Sequence, residues 1–361
     1  MTSTLARSTS VVRLALTVWL AGCSIEPVPG MDPRPDASIL VDAATWEPPD
    51  AEVAADAGGE GAPLDPDAGV AQDAATPVDA GPVEGPTTVE AAYRVLHWNI
   101  AGGKENDCAT RGITDAVLRY VRNRELDFVG LNEVCPAQYD AIRDALRTHW
   151  GLPASRRFSA YVGDETPRVV GNAIFSRFGL DDVTRLRVGE DRYGNRNLLC
   201  GAVPARAHLR FCSVHLTPGD ATARRQLSRV LARIERWWEN RGDTVILTGD
   251  LNLLPDDVRL NEVYSAAANH PRNNPDNHGR YRELDDADAD HCPGYGERSL
   301  PGTSRGPCAS GAKIDFIFVR QNRIVDGDYS ADTLDIPRTC TGACSDHRAV
   351  GGRVRVRVRV D

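Results

Sequence analysis

The stretch from Ser24 to Glu90 limits the fold more than any other feature, because it cannot itself fold. It carries fifteen acidic residues against one base, Arg34, and is otherwise rich in Ala, Pro, Gly and Val, as in Asp65-Pro-Asp-Ala-Gly-Val. Such a segment buries too little apolar surface to offset the entropy of ordering, and its charges repel one another, so it is expected to be a disordered tether. A packed core must therefore come from residues 91–361. The charge divides the same way. The whole chain is −9, residues 1–23 contribute +2 and the tether −14, which leaves +3 on residues 91–361. The acidity belongs to the tether, and the mildly basic remainder is compatible with an anionic substrate.

Ahead of the tether, Arg7 precedes and Arg13 interrupts a short apolar run, Val11–Ala21, that ends in Leu20-Ala21-Gly22-Cys23. The run is too short to span a bilayer and reads as a secretory signal over residues 1–23. Leu-Ala-Gly-Cys resembles the bacterial lipobox, which implies lipidation of Cys23 and an exported protein anchored to the cell envelope, at the outer membrane or surface. An ordinary signal peptide is the alternative. No later apolar run reaches transmembrane length, so the membrane is expected to be met through the anchor alone. Eight of the nine cysteines remain after Cys23, an even number suited to disulfides in an oxidising compartment. Cys200 and Cys212 sit on apparent neighbouring strands, Cys340 and Cys344 bracket one loop, Cys292 and Cys308 bracket another, and Cys108 and Cys135 are left to pair. Zinc is disfavoured, since no Cys-x-x-Cys or His-x-x-x-His spacing accompanies them.

From Tyr93 onward, short β-rich runs alternate with helical patterns. Strands are expected at Tyr93–Asn99, Asp127–Glu133, Ser159–Val162, Gly171–Ser176, Asn197–Val203, Ala207–His215, Thr244–Asp250, Lys313–Val319 and Arg353–Val360. Helices are expected at Asp115–Glu125, Pro136–Trp150 and Ala221–Asn240. The last strand alternates Arg with Val, as a strand does with one wet face and one buried face. Mixed strands with interspersed helices imply an α/β or α+β sandwich around one core.

A polar residue of a type used in catalysis repeatedly ends a buried strand: Asn99, Asn132-Glu133, His215, and Asp250-Leu-Asn252. Asp315 lies inside the apolar run Lys313–Val319, where an unpaired charge would be costly, and Ser345-Asp346-His347 precedes the last strand. Taken singly, Asn99 could be a turn residue, Gly249-Asp-Leu-Asn252 an Asx turn, and His215 a satisfied core histidine. Taken in order, Trp98-Asn99, Asn132-Glu133, Gly171-Asn-Ala-Ile-Phe-Ser-Arg177, Ser213-Val-His215, Thr248-Gly-Asp250-Leu-Asn252, Lys313-Ile-Asp315-Phe and Ser345-Asp346-His347 resemble the endonuclease/exonuclease/phosphatase superfamily across about residues 93–360.

That resemblance implies a four-layer sandwich, two mixed β-sheets flanked by helices, with the site at one sheet edge. It further implies that Glu133 is the main ligand of Mg²⁺ or Mn²⁺, with Asn99 and Asp346 in the shell, an all-oxygen set suited to hard cations. Asp250 and Asn252 would hold the attacking water and a phosphate oxygen. Asp315 would orient His347, and either Asp250 or His347 would be the base. His215 would contact a phosphoryl oxygen or serve the leaving group, and Arg177 and Asn172 would contact the substrate phosphate. Repair enzymes of the exonuclease III type carry Asp where this chain has Ala101, so the resemblance leans to the deoxyribonuclease, sphingomyelinase and phosphatase branches.

The expected activity is a metal-dependent phosphodiester hydrolase, acting as a monomer on DNA or RNA outside the cytoplasm. Arg156, Arg157, Arg192, Arg196, Arg224 and Arg225 are candidates to track a phosphate backbone. A sphingomyelinase-type phospholipid phosphodiesterase is the alternative, with Trp237-Trp238 its one candidate for a membrane-facing aromatic pair. A catalytically dead surface-binding domain is the reading from another class, and the intact set of buried carboxylates and histidines argues against it. Deleting residues 24–90 should leave turnover of a soluble substrate per folded molecule within about twofold, because the segment has no core to contribute. Kinetics of the deletion variant check this, and a large loss would place the tether in the site.

Overall fold

The computed structural model describes residues 86–165, 169–219, 221–287, 292–303, 308 and 310–361. The signal segment, Cys23 and the tether up to residue 85 lie outside the described residues. Fourteen strands and three α-helices are found among the described residues. In chain order they are β1 (Thr88–Asn99), α1 (Arg111–Arg124), β2 (Phe128–Val134), α2 (Pro136–Trp150), β3 (Ser159–Glu165), β4 (Val170–Ser176), β5 (Asp181–Asp191), β6 (Gly194–Val203) and β7 (Arg206–His215). Then follow α3 (Ala221–Arg241), β8 (Thr244–Asp250), β9 (Tyr281–Glu283), β10 (Leu300–Pro301), β11 (Gly311–Ala312), β12 (Asp315–Arg320), β13 (Ile324–Leu334) and β14 (Ala349–Arg359).

Twelve of the strands form two mixed sheets, ordered β13-β14-β1-β2-β4-β3 and β5-β6-β7-β8-β12-β9, linked by the single residue pair Glu165–Gly194, while β10 and β11 pair separately as an antiparallel ribbon. Strand alternation shows how they stack. Val95, Phe128, Ile174 and Val354 of the first sheet meet Leu199, Phe211, Ile246 and Ile317 of the second in one interior. Their neighbours along the strands, Leu96, Val129 and Phe175, turn outward onto Ile113 and Val117 of α1 and Ile142 and Leu146 of α2. Leu198, Cys212, Leu247 and Phe316 turn outward onto Leu227, Val230 and Ile234 of α3. The result is a four-layer α/β sandwich of two mixed sheets flanked by helices. It also explains why the central strands read as unbroken apolar runs, since both faces of each are covered.

Two βαβ units supply the parallel pairs: β1-α1-β2 and β7-α3-β8. Helix α2 begins immediately past β2, with Pro136 in its first turn and the Gln138 side chain accepting the Cys135 N–H at 3.1 Å. Gly130 is required for layer spacing: a Cβ there would stand 2.3 Å from Thr248 Oγ1 of the opposite sheet. On β14 the valines point into the inter-sheet core, while Arg353, Arg355 and Arg357 pair with Glu90, Asp326 and Asp328 at the surface.

Several elements differ from expectation. Strand β1 starts at Thr88, inside the expected tether, because Glu90 meets Arg355 and Arg357 of β14 and Val89 packs on the inter-sheet core. The tether deletion that spares turnover must therefore stop short of Thr88. Helix α1 begins earlier, at Arg111. Strands β5 and β13 escape the apolar pattern because both lie at sheet edges with half their residues wet.

The structure joins Cys108–Cys135, Cys200–Cys212, Cys292–Cys308 and Cys340–Cys344. Cys200 and Cys212 are directly opposed on β6 and β7 and wholly buried, whereas Cys308 is exposed. Under mild native reduction and alkylation, Cys292 and Cys308 should be labelled well before Cys200 and Cys212, whose exposure requires opening of the sheet. Peptide mass mapping over a time course reads the order, and early labelling of Cys200 would contradict the burial.

Candidate active site

The carboxyl ends of the parallel strands converge at one edge of the sandwich, the place where open α/β sheets present ligand sites. Asn99 is the last residue of β1 and pairs in register with Asn132. His215 is the last of β7 and Asp250 the last of β8, in register with each other. Asp315, the first residue of antiparallel β12, stands opposite Asp250. Glu133 lies in a bulge of β2, with the register shifting between Leu131 and Val134 and a left-handed backbone (φ 53°). The bulge re-aims its carboxylate toward Asn99. Asn252 is also left-handed (φ 52°), so two residues of the cleft carry backbone strain of the sort retained at functional sites.

Buried hydrogen bonds tie these residues together across the two sheets. Asn99 Nδ2 donates to Glu133 Oε1 and to Asp250 Oδ2, each at 3.0 Å. Asn132 Oδ1 accepts the Asp250 N–H at 2.9 Å, while its Nδ2 donates to Asn172 Oδ1 at 2.7 Å and Ser213 Oγ at 3.2 Å. Asp250 Oδ1 accepts the Asn252 N–H at 2.9 Å. The Asp315 carboxylate, fully buried, accepts from two histidines: His97 Nε2 at 2.9 Å and His347 Nδ1 at 2.7 Å. Because a carboxylate only accepts, His347 must donate from Nδ1, and Nε2 is left facing Asp250 Oδ2 and Asp346 Oδ1, 3.9 Å from each. The loop carrying His347 is clamped onto β1 by Ser345 Oγ donating to the Asn99 carbonyl and by Trp98 Nε1 donating to the His347 carbonyl.

The charges follow from this geometry. Burial alone would raise the Asp315 carboxyl, but His347 first and then His97 more than reverse it and hold it far below the usual carboxylate range. Burial opposes the charged form of His347, yet the Asp315 charge and hydrogen bond outweigh it, pushing His347 up to about 10. Asp250 is raised, chiefly by burial and next by the Asp315 charge, against the lowering pull of His215, His347 and Asn99. One aspartate is therefore a fixed anion that supports a cationic histidine, and the other is a carboxylate with enhanced basicity.

These groups line a cavity of about 630 Å³ whose walls include Lys104, Glu133, Tyr193, Arg196, His215, Asp250, Asn252, Asp346 and His347. Lys104 Nζ lies 2.5 Å from Asp346 Oδ2, and that hydrogen bond, more than the nearby charges of Glu105 and Glu133, holds its ammonium above the ordinary lysine range. An ammonium thus already occupies the corner where Glu133 and Asp346 present oxygens, so that corner stabilises a cation. Asp250, Asp315 and His347 form a second compact group, with ligand atoms within 4.8 Å of one another. Both Asp315 oxygens in it are committed to histidines.

Three expectations for individual residues are corrected. Arg177 lies at the opposite end of β4 from the cleft, paired with Asp127 and stacked on Phe178, because the antiparallel β2–β4 register sets Ser176 against Phe128. Asn172 is buried with both ends of its amide used, by Asn132 and by the Asn197 carbonyl, so it braces the site from behind. Asn99 Oδ1 accepts the Ala101 N–H, which turns its amide nitrogen, not its oxygen, toward the carboxylates. Of the six arginines suggested to track phosphate, Arg196 lines the cleft. Trp237 is buried beneath Arg210, and Trp238 is held between Arg320 and Arg323, so neither makes an aromatic loop. His97 and Lys104 escaped the sequence reading. The signal for His97 was its spacing, since Val95, His97 and Asn99 share one strand face.

A sequence model described as the Endonuclease/Exonuclease/phosphatase family matches residues 96–347. No curated protein sequence matches the chain. Among solved structures, an endonuclease/exonuclease/phosphatase family protein from Bacteroides thetaiotaomicron shares the fold with a TM-score of 0.53 at 13% identity, over 75% of this chain and 97% of that one. A mannosyl-6-phosphatase from the same organism gives 0.51 at 15%, over 73% and 99%. TDP2 from D. rerio, complexed with single strand DNA product, gives 0.50 at 16%, over 73% and 99%. With the family pattern spanning most of the sandwich and the polar residues gathered at its strand ends, the chain belongs to the endonuclease/exonuclease/phosphatase family.

Proposed function

We propose that this chain is an exported, lipid-anchored phosphodiesterase that uses Mg²⁺ or Mn²⁺ to hydrolyse nucleic acid, DNA or RNA. The reading is carried by one arrangement: His347, backed by buried Asp315, faces Asp250 across the floor of a cleft walled by Arg196 and Lys104. A phosphodiester is an anion attacked by water, so its chemistry needs a base, a cationic donor and positive charge at fixed distances. Asp250, with its raised proton affinity, is placed to take the proton of the attacking water. Asn252 is positioned by its N–H on Asp250. His347 donates from Nε2 to the phosphoryl group.

Glu133 and Asp346 would hold the metal ion, and its contribution when bound is further positive charge beside the phosphoryl oxygens. The four disulfides suit an extracytoplasmic protein, and no helix among the described residues is long and apolar enough to cross a membrane, in keeping with attachment through Cys23. The choice of nucleic acid is favoured by Tyr193 at the cleft, over which Arg192 and Arg196 stack at 4.7 and 5.9 Å. Such a platform can take a base face while the exposed Arg192 takes a phosphate. The D. rerio TDP2 with its DNA product lends analogy, and the mannosyl-6-phosphatase marks phosphomonoesters as the comparison substrate for the assay.

The full-length protein, stripped with EDTA, should lose activity on plasmid DNA or RNA and regain it with Mg²⁺ or Mn²⁺, while hydrolysing sphingomyelin and mannose 6-phosphate poorly. Full activity after exhaustive chelation would sink the metal assignment, and preference for sphingomyelin would replace the substrate. Turnover of His347→Ala should fall by about 10²–10⁴-fold. Asp315→Asn should fall substantially too, and the double variant should be little worse than His347→Ala alone, since the pair acts as one unit. Near-wild-type turnover in a folded His347→Ala protein would remove this mechanism.

The same pair sets a pH dependence of stability. Depressed Asp315 stabilises the fold above the ordinary carboxylate range, and this is lost as pH falls through and below it. Raised His347 stabilises fully below its ordinary value of 6.5, and this is lost as pH rises from there to about 10. The wild-type Tm should therefore decline in both directions, and in Asp315→Asn the alkaline decline between those values should flatten. An unchanged alkaline slope in that variant would show that Asp315 does not support a protonated His347.

A further inference from the structure

We propose that helix α3 carries a second contact for nucleic acid outside the cleft: Arg225, Arg229, Arg233 and Arg236 form a positive track that holds the phosphate backbone of the substrate beyond the scissile bond. The nucleic-acid partner rests on the function proposed above, and the track says where that substrate continues. The four positions advance by four, four and three residues, so their side chains stack along one side of the helix. At 1.5 Å per residue the track is about 16 Å long, and at 3.4 Å of axis per nucleotide it spans about five phosphates of one strand. Arg225, Arg229 and Arg236 are exposed and Arg233 is half-buried. Arg225 donates to Thr222 Oγ1 and Arg229 to the Val188 carbonyl, both uncharged, while Arg233 lies against the Trp237 ring. In α3 the arginines that pair with carboxylates are Arg224, on Glu262, and Arg241, on Asp243; among the described residues the four of the track have none.

The acids of the helix lie on its other flank. Glu235 and Glu239 line a hollow there with Glu262, and Glu235 is bonded to Arg280, Arg320 and the Tyr281 hydroxyl. Helix α3 is thus divided lengthwise into a basic side and an acid-bearing side. The basic side begins at the cleft. Gln226 packs against Gly189 of β5 and bonds the N–H and hydroxyl of Thr217 at 2.9 and 2.7 Å, and the next residue, Pro218, is part of the cleft wall. Arg229 is tied to Val188 of the same strand, which ends at Asp191 beside Arg196. From there α3 runs back toward the start of β8, so its charges lead away from the reacting groups at roughly one per turn. Each phosphate met by such a cation releases a counterion, which strengthens binding without sequence preference. An anionic membrane fits the helix less well. Its large apolar residues Leu227, Val230, Ile234 and Trp237 are buried, and Trp238 is held between Arg320 and Arg323, so the exposed side has no large apolar group to enter a bilayer.

The test titrates the full-length chain, held in EDTA to prevent cleavage, against a fluorescent DNA duplex at several salt concentrations. Replacing all four arginines with Gln should flatten the slope of log affinity against log salt by about three units, near 0.9 for each lost phosphate contact. Binding at low salt should weaken by at least about tenfold. Turnover of bis-p-nitrophenyl phosphate, which is too small to reach the track, should stay within about twofold of wild type. The variant with Lys at all four positions keeps the charges and should keep the wild-type slope to within about one unit. Replacing Arg111, Arg119, Arg122 and Arg338, exposed arginines away from α3, with Gln should change the slope by less than about one unit. An unchanged slope in the α3 Gln variant, or equal flattening in that control, would overturn the proposal. Loss of binding to phosphatidylglycerol vesicles with the DNA slope intact would do the same, and would assign the track to a membrane. If the wild type binds duplex through the track but cleaves neither DNA nor RNA once Mg²⁺ is restored, the functional reading fails and the track stands. Cleavage together with an unflattened slope in the α3 Gln variant would defeat the track alone.

Discussion

Everything at the site depends on one buried carboxylate. Asp315 sits where a lone charge would be intolerable, and it is made tolerable by two histidine N–H groups, one from the opposite sheet and one from the loop before the last strand. That single side chain does three things. It joins the sheets through His97, fixes the ring orientation of His347, and places a permanent negative charge near Asp250. The loop from Ser345 to His347 is docked on β1 by separate bonds, so the histidine arrives at the carboxylate already oriented.

The site is also the polar end of the sandwich interior. Along β1, β7, β8 and β12 the same inward face changes from apolar to polar: Val95 to His97 and Asn99, Phe211 to Ser213 and His215, Ile246 to Thr248 and Asp250, Ile317 to Asp315. Where the apolar stack stops, cross-sheet hydrogen bonds take over from dispersion and exclusion of water in holding the layers. Reactive groups placed this way need few additional supports, since their neighbours in register are rigid strands. Two of the disulfides reinforce segments outside the strands. Cys135 follows Glu133 by two residues, and Cys344 immediately precedes Ser345.

Most strands were legible in the sequence because each central strand is covered on both faces, which leaves long runs of Val, Ile, Leu and Phe, whereas the four layers were implied only by the family resemblance. Edge strands β5 and β13 were not, since half of each meets water and carries no such mark. The strand-end polar residues announced a site. What the sequence did not carry was direction: Arg177 and Asn172 belong to the same motif, yet antiparallel register sends one to the far end and turns the other inward. Likewise, Asn99 stands where expected, but a backbone N–H from Ala101 decides which end of its amide faces the carboxylates. Pairings of this kind, between residues far apart in the chain, become visible only with coordinates.

Gly130 gives the layered design an unusual dependence. It offers no functional group and touches no reactive atom, but the opposite sheet's Thr248 hydroxyl occupies the space its side chain would need. The distance between Asn99 and Asp250, or between His97 and Asp315, is thus gauged by a missing methyl group one rung away. A random alteration at Gly130 would be recorded in a mutational survey as an active-site lesion while every reactive residue remained in place. The tolerance of this enzyme to sequence drift is governed as much by where its backbone must be bare as by the groups it displays.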